Sequence, residues 1–330
     1  MEYRRLGTTG LKVSEIALGG TTFGGILNEK DSLAVIQKAL DSGITLLDAA
    51  DVYGMGGGAG KCEEWIGKAI KGRRNEVVLA TKFGAAMGKG PNDQGCSRYH
   101  IMDAMDASLK RLGTDHVDIY YIHHPDPSTP MEETLRAMDD LIHAGKTRYI
   151  GACNLSGWEL CQSYWTSRLN ALEPFAVAQG PYNPLDRRIE AELLPCCRAN
   201  GIGLVTYWPL AEGFLTGKYQ RGQVAPAGSR FADPRFKRMA DGVLKEKNYD
   251  ILEKLQAFAK DHGHTIAGLA IAWLLAHPYV NSIIAAATKP EQVAANVAAA
   301  GWKLTAQELS GVDKLLPEAP GADYLSVFKR

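Results

Sequence analysis

Tyr53 follows Asp48 by five residues, in Leu47-Asp48-Ala49-Ala50-Asp51-Val52-Tyr53-Gly54. Lys82 and His123 come later, in Ala80-Thr81-Lys82 and Tyr120-Tyr121-Ile122-His123. A tyrosine hydroxyl titrates near pH ~10 and is a poor acid at neutrality. A lysine beside it favours the phenolate and lowers that pKa, and a buried lysine needs a counter-ion, which Asp48 can provide. His123 can hydrogen-bond a carbonyl oxygen, either polarising it or relaying a proton. Asp48, Tyr53, Lys82 and His123 thus make a proton donor for a developing alkoxide, and such a donor needs a reductant beside it. Asn154 and Gln179 are amides that could hold a carboxamide, and Tyr207 offers an aromatic face; these would fit a nicotinamide ring.

The elements that must position these residues show as short β-branched or apolar runs at 15–20, 44–49, 77–81, 117–122, 149–153, 176–179, 203–207 and 282–286. The first seven start about thirty residues apart, and the eighth follows a longer gap. Near-continuous apolar runs suit parallel strands buried on both faces. Asp48 lies near the end of the second run, Lys82 follows the third and His123 the fourth; Cys153-Asn154 close the fifth, Gln179 the sixth and Tyr207 the seventh. Singly, each reads as a cap, a solvated strand end or rim packing. Six successive runs ending in a polar group describe an active-site mouth, because barrel chemistry sits at the C-terminal face of the strands.

Helical patterns lie between the runs. Leu33, Ile36 and Leu40 share one face; Ile101, Met105, Leu109 and Leu112 share another, with Gly113 placed for a left-handed stop. Thr129-Pro130-Met131-Glu132 reads as a capping box with proline at the first helical position, and Gly145 ends that helix. Eight strand–helix units predict an α/β fold of the (β/α)8 TIM barrel type. An N-terminal β-hairpin is expected over residues 2–13, around Thr8-Thr9-Gly10, and a long loop over 211–246 after the seventh strand. A doubly wound open sheet is the competing architecture, since strand order is not readable from sequence. No linker divides the chain, so one domain is expected over 1–330.

Composition narrows the function classes. Thirty-seven Lys and Arg balance thirty-seven Asp and Glu over 330 residues, leaving no basic footprint for nucleic acid. No apolar run approaches the length of a membrane span, and the first residues lack the apolar core of a secretory signal. The six cysteines form no Cys-x-x-Cys and read as free thiols of a cytoplasmic protein.

The Asp48–Gly54 segment resembles the D-x-A-x-x-Y-G signature of the aldo-keto reductases. Ala80-Thr81-Lys82, Asp118–His123, Val177-Ala178-Gln179-Gly180-Pro181-Tyr182-Asn183, Tyr207-Trp208-Pro209-Leu210, Gly213–Lys218 and Glu291-Gln292 with Asn296 resemble that family in the same order, from about residue 3 to residue 316. The spacing looks closer to the bacterial stress and sugar-type reductases and the potassium-channel β subunits than to the aldose reductase branch. The resemblance implies the barrel, Tyr53 as acid with Lys82, Asp48 and His123 completing a tetrad, NADP(H) with NAD(H) use as well, a small-molecule carbonyl substrate, and no metal. It places Gly20 and Thr21 near the cofactor, and Cys153, Asn154, Gln179 and Tyr207 around the carboxamide. Trp208, Pro209, Leu210, Ala211, Gly213 and Lys218 would wrap the pyrophosphate with Arg230, and Ala286, Thr288, Gln292 and Asn296 would meet the adenosine end. This chain departs from its relatives in having His124 where many carry arginine, Cys153 where most carry serine, and Ala295 where many carry glutamate. Ala286 and Gln292 replace a Lys and an Arg that clamp the 2′-phosphate in the aldose reductase branch. Thr288, Lys289, Arg230 and the helix start near Pro290 remain, so a modest preference for NADPH is expected.

Gly54-Met55-Gly56-Gly57-Gly58-Ala59-Gly60-Lys61 fails as a phosphate loop, with Met at 55 and Cys at 62, and reads as a flexible loop by the substrate pocket. His123-His124-Pro125-Asp126 suggests a metal-dependent hydrolase, but the other strand ends offer Lys, Asn, Gln and Tyr, which are poor metal ligands. His262 and His264 lie in a helix connection and are expected to face solvent. Two function classes stay open, a carbonyl reductase and a nucleotide-sensing regulatory subunit with slow turnover. Substrate choice is expected to rest on Phe23, the 54–60 loop, Tyr182 and the region of Phe328. The sequence leaves the oligomeric state open.

Overall fold

A computed structural model describes residues 1–54 and 58–318. Met55, Gly56 and Gly57 of the glycine loop, and Phe328, lie outside the described residues. The chain begins with a hairpin of β1 (Tyr3–Arg5) and β2 (Lys12–Ser14), paired antiparallel with Arg4 opposite Val13. Eight strands follow: β3 (Ile16–Gly19), β4 (Leu46–Asp48), β5 (Val78–Phe83), β6 (Val117–Ile122), β7 (Thr147–Cys153), β8 (Val177–Pro181), β9 (Gly203–Tyr207) and β10 (Val280–Ala286). Each pairs in parallel with the next, and β10 pairs with β3, so the sheet closes and the open-sheet alternative is excluded. Both faces of this wall are buried, as the apolar runs require. Ala17, Leu46, Val78, Ala80, Ile119, Tyr121, Val177, Val205 and Ile284 cluster apart from the larger core beneath the helices, and Leu6 and Val13 of the hairpin join them.

The helices are α1 (Glu29–Asp41), α2 (Lys61–Ala69), α3 (Arg98–Leu112), α4 (Met131–His143), α5 (Gly157–Leu169), α6 (Leu193–Asn200), α7 (Lys237–Val243), α8 (Glu246–Asp261), α9 (Ile266–Ala276), α10 (Pro290–Ala299) and α11 (Ala306–Asp313). Val35, Ile36, Ala39 and Leu40 are the buried apolar residues of α1, with Leu33 packed against the core from a partly exposed position. Ser97 caps α3 by accepting from the His100 N–H, and Gly113 ends it at φ +64°, the left-handed conformation that glycine adopts without strain.

Three expectations need correction. Lys82 lies inside β5 rather than after it. The capping box at 129–132 does not form: Pro130 is itself the N-cap of α4, the Thr129 hydroxyl donates to Asp126 at 2.8 Å, and Glu132 pairs with Arg136. Asp126, which accepts from Thr129 and Ser128, holds that turn instead. The 211–246 stretch is not a bare loop either, since it folds into short 3-10 turns and α7. His262 and His264 are exposed, as expected, although His264 stacks on Trp302 with ring centroids 3.9 Å apart.

Candidate active site

The C-terminal ends of β4 and β5 bring the first cluster together. Gly19 pairs with Asp48, and Asp48 with Ala80, so Asp48 and Lys82 stand on neighbouring strands with their side chains converging. Lys82 is fully buried, and its ammonium donates three hydrogen bonds: to Asp48 Oδ2 at 2.6 Å, to the Ala49 carbonyl at 2.9 Å and to the Tyr53 hydroxyl oxygen at 3.2 Å. Three donors meet three acceptors, which is all an ammonium can satisfy. Burial pulls the Lys82 pKa down, but Asp48, Tyr53 and Cys153 together outweigh it, and the net shift is upward. Lys82 therefore stays charged.

Tyr53 reaches this ammonium from the loop after β4. Burial raises its pKa; Lys82 pulls the other way and Asp48 adds to the rise. The expectation of a net lowering is thus corrected: Lys82 moderates a rise instead of producing a fall, because the same protein mass that holds the ammonium also dehydrates the phenol. The phenol stays protonated at neutral pH with an N–H already aimed at its oxygen.

His123, just past β6, lies edge-on to Tyr53 with ring centroids 5.6 Å apart. Burial, then Lys82 and His124, pull its pKa down to about 2, so the imidazole is neutral. Its Nδ1 is buried without a hydrogen-bond partner. His124 stacks parallel on it with ring centroids 4.5 Å apart. Among the described residues no three or more His, Cys, Asp or Glu gather as a metal site.

Beyond them, β7 and β8 present the amides. Gln179 Nε2 donates to Asp48 Oδ1 at 2.9 Å, and its Oε1 accepts the Cys153 thiol at 3.3 Å. Asn154, at φ +64°, donates from Nδ2 to the His123 carbonyl at 2.9 Å, with the Cys153 sulfur 3.2 Å away. Its Oδ1 accepts the Tyr207 hydroxyl at 2.6 Å. Tyr207 therefore holds Asn154 in place, a role the expectation of an aromatic platform did not include. Each amide keeps one edge against a thiol, a weak hydrogen-bonding partner. A carboxamide can displace that contact at little cost, which fits the group that the sequence implies.

Past β9 the backbone is strained. Trp208, Ala211 and Glu212 have φ of +59°, +45° and +59°, and Gly213 follows at +89°. Non-glycine residues hold such angles at a cost of about 1–3 kcal/mol each and concentrate at ligand sites. Asn183 secures the first of them by donating from Nδ2 to the Trp208 carbonyl at 3.0 Å. Pro209 is buried, Leu210 half-buried, and Lys218 is exposed at the end of this segment. Arg230 pairs with the buried carboxylate of Glu212. Gly20, after β3, donates its N–H to the Asp48 carbonyl, and a Cβ there would stand 2.4 Å from Cys62 Sγ. Thr21 is exposed beside it. On the far side, Ala286 is exposed at the end of β10, and Gln292 accepts the Thr288 N–H and hydroxyl at the start of α10. Asn296 is buried on that helix.

Sequence reading missed three supports. Asn183 is one; its signal was an amide two residues after a proline at a strand end. The others are Asp51 and Glu63, behind the wall from Lys82. Glu63 accepts from Thr81 Oγ1 and Arg111, whereas neither Asp51 oxygen nor the Tyr120 hydroxyl has a partner. An acid in a first helical turn reads as a surface residue, and nothing local announces its burial.

A family model described as the Aldo/keto reductase family matches residues 15–317. The chain is 40% identical over 305 residues to a "Probable voltage-gated potassium channel subunit beta" of Oryza sativa subsp. japonica, covering 91% of each. It is 35% identical over 329 residues to "Aldo-keto reductase YhdN" of Bacillus subtilis, covering 96% of this chain and 94% of that one. It is 33% identical over 348 residues to "Versiconal hemiacetal acetate reductase" of Aspergillus parasiticus, covering 98% of each.

Proposed function

The chain belongs to the aldo/keto reductase family, and we propose that it interconverts aldehydes or ketones and alcohols with Tyr53 as general acid and NADP(H) as the preferred cofactor. The observation that carries this reading is the buried Lys82 ammonium, hydrogen-bonded to Asp48, Ala49 and the Tyr53 oxygen at once. The nicotinamide supplies a hydride when bound, and Asn154 and Gln179 are the residues that would hold its carboxamide. Tyr53 gives its proton to the substrate oxygen. Lys82 then stabilises the phenolate through the N–H already directed at it, while Asp48 keeps Lys82 charged. His123, being neutral, orients the carbonyl as a hydrogen-bond donor without competing for the proton.

Lys289 at the start of α10 and the backbone N–H groups there would meet the 2′-phosphate. Arg230 already has Glu212 as a partner, which leaves Lys289 the principal cation and keeps the preference for NADPH modest. The six free cysteines suit a reducing compartment, the cytoplasm.

Turnover of a simple aromatic aldehyde with NADPH and NADH, alongside dissociation constants for both, tests the reading. Tyr53→Phe should lose about 10²–10⁴-fold in kcat with NADPH affinity almost unchanged; turnover within a few-fold of the parent would remove Tyr53 from the acid role. Lys289→Ala should weaken NADPH more than NADH, and equal losses would show that Lys289 does not read the phosphate. The similarity to proteins named as potassium-channel β subunits favours a second reading, a nucleotide-sensing regulatory subunit. Tight cofactor binding with negligible aldehyde turnover would select it.

A further inference from the structure

All six cysteines are unbridged; Cys62, Cys96, Cys153 and Cys197 are buried, and Cys161 and Cys196 are partly exposed. Cys161 is on α5 and Cys196 on α6, neighbouring helices that follow β7 and β8 and run in the same direction, as a parallel barrel requires. The two helices meet backbone to backbone at their starts, where a Cβ on Gly157 would stand 2.6 Å from Glu192 Cβ and 2.7 Å from its carbonyl carbon. One helical turn further on, four residues along each chain, stand Cys161 and Cys196. Each is four residues from the contact residue of its own helix and so on the same face, and Cys161 is near enough to add, after burial, to the rise of the Cys196 thiol's pKa. Asn200 Nδ2 lies 3.6 Å from Cys196 Sγ, one turn along the same helix. A disulfide asks for Cα atoms about 4.4–6.8 Å apart, and helices in backbone contact one turn away permit that approach.

We propose that Cys161 and Cys196 are a modification site, a surface dithiol that a hydroperoxide oxidises to a disulfide joining α5 to α6. One thiol attacks the peroxide, the O–O bond breaks, and the sulfur becomes a sulfenic acid while the peroxide leaves as its alcohol. The second thiol displaces the sulfenic oxygen as water, and the S–S bond forms. The two thiol hydrogens end in the alcohol and the water; two sulfurs are oxidised as one peroxide is reduced. The bridge ties together the helices that follow β7, which ends at Cys153, and β8, which carries Gln179, but it does not rest on the reductase reading. Trp158 and Trp165, each one turn from Cys161 and 63% and 55% exposed, sit where they report on it.

The test oxidises the reduced full chain with hydrogen peroxide and follows intact mass, free-thiol count, tryptophan fluorescence and non-reducing peptide maps. The expected result is a loss of two hydrogens, two fewer of the six thiols and a Cys161–Cys196 link. Tryptophan emission should fall and recover with dithiothreitol. Cys161→Ser and Cys196→Ser should each abolish the link and the fluorescence change, and Cys197→Ser should keep both. Tandem fragmentation of the parent peptide separates Cys196 from Cys197 even if the last variant folds poorly. Sulfinic acids without a link, a link to Cys197 or between two chains, or a two-hydrogen loss that survives Cys161→Ser would overturn the proposal.

Discussion

At the scale of single residues, the buried charges set what can be measured. Lys82 holds Tyr53 below the pKa that burial alone would give it. Lys82→Met should therefore move the alkaline fall of the reductive kcat to still higher pH, beyond lowering kcat itself. An unchanged pH–rate profile would reduce Lys82 to a packing role. Asp51 makes a second case, because burial, then Glu63, raise its pKa to about 7, with no partner for either oxygen. Its folded-state pKa lies above its unfolded one, so its contribution is fully present below about pH 4 and is lost as pH rises through about 7. At roughly 1.4 kcal/mol per unit, the whole shift is worth on the order of a few kcal/mol. Asp51→Asn should then gain melting temperature relative to the parent between pH 5 and pH 8; a constant gap would show that Asp51 does not titrate in that range.

At the scale of elements, α2 matters because it follows the Tyr53 loop and carries Cys62 and Glu63 toward the wall. Gly67 lets it approach α3: a Cβ there would stand 2.3 Å from the Leu112 carbonyl oxygen and 2.7 Å from its carbon. Backbone cannot turn aside as a side-chain tip can. Gly67→Ala should cost about 1–3 kcal/mol from overpacking, against a gain of up to about 1 kcal/mol in helix propensity. Chemical denaturation measures the balance, and a more stable variant would mean that α2 and α3 separate without strain. The strained turn after β9 belongs to the same scale, since Asn183 from the β8 loop holds Trp208 in a conformation the segment would not choose alone.

At the scale of the whole molecule, the barrel depends on its hairpin. Leu6 is fully buried and lies against Gly203 of β9, where a Cβ would stand 3.0 Å from the leucine side chain. Thr8 donates its N–H to the Gly201 carbonyl, and Arg4 donates to the carbonyls of Val280 and Leu275. The first residues therefore clasp the strands at the end opposite the polar cluster. Leu6→Ala should destabilise the fold by about 2–5 kcal/mol, read from urea denaturation. A loss under about 1 kcal/mol would show that the hairpin is an ornament on the barrel.

The sequence by itself determined the barrel strands and the types of residue at their ends, because burial on both faces writes itself as apolar runs and the polar breaks in those runs mark one rim. It also determined the hairpin and the glycine stop at Gly113, which are matters of local conformation. Only the tertiary structure decided which acceptors Lys82 meets, that Tyr53 is shifted up rather than down, that Arg230 already has Glu212 as partner, and that Asp51 and Glu63 lie buried behind the wall. Closure of β10 onto β3 and the meeting of α5 with α6 likewise join residues far apart in the chain. Hydrogen-bond partners and dehydration are set by what arrives from other strands, and no spacing along one segment encodes them.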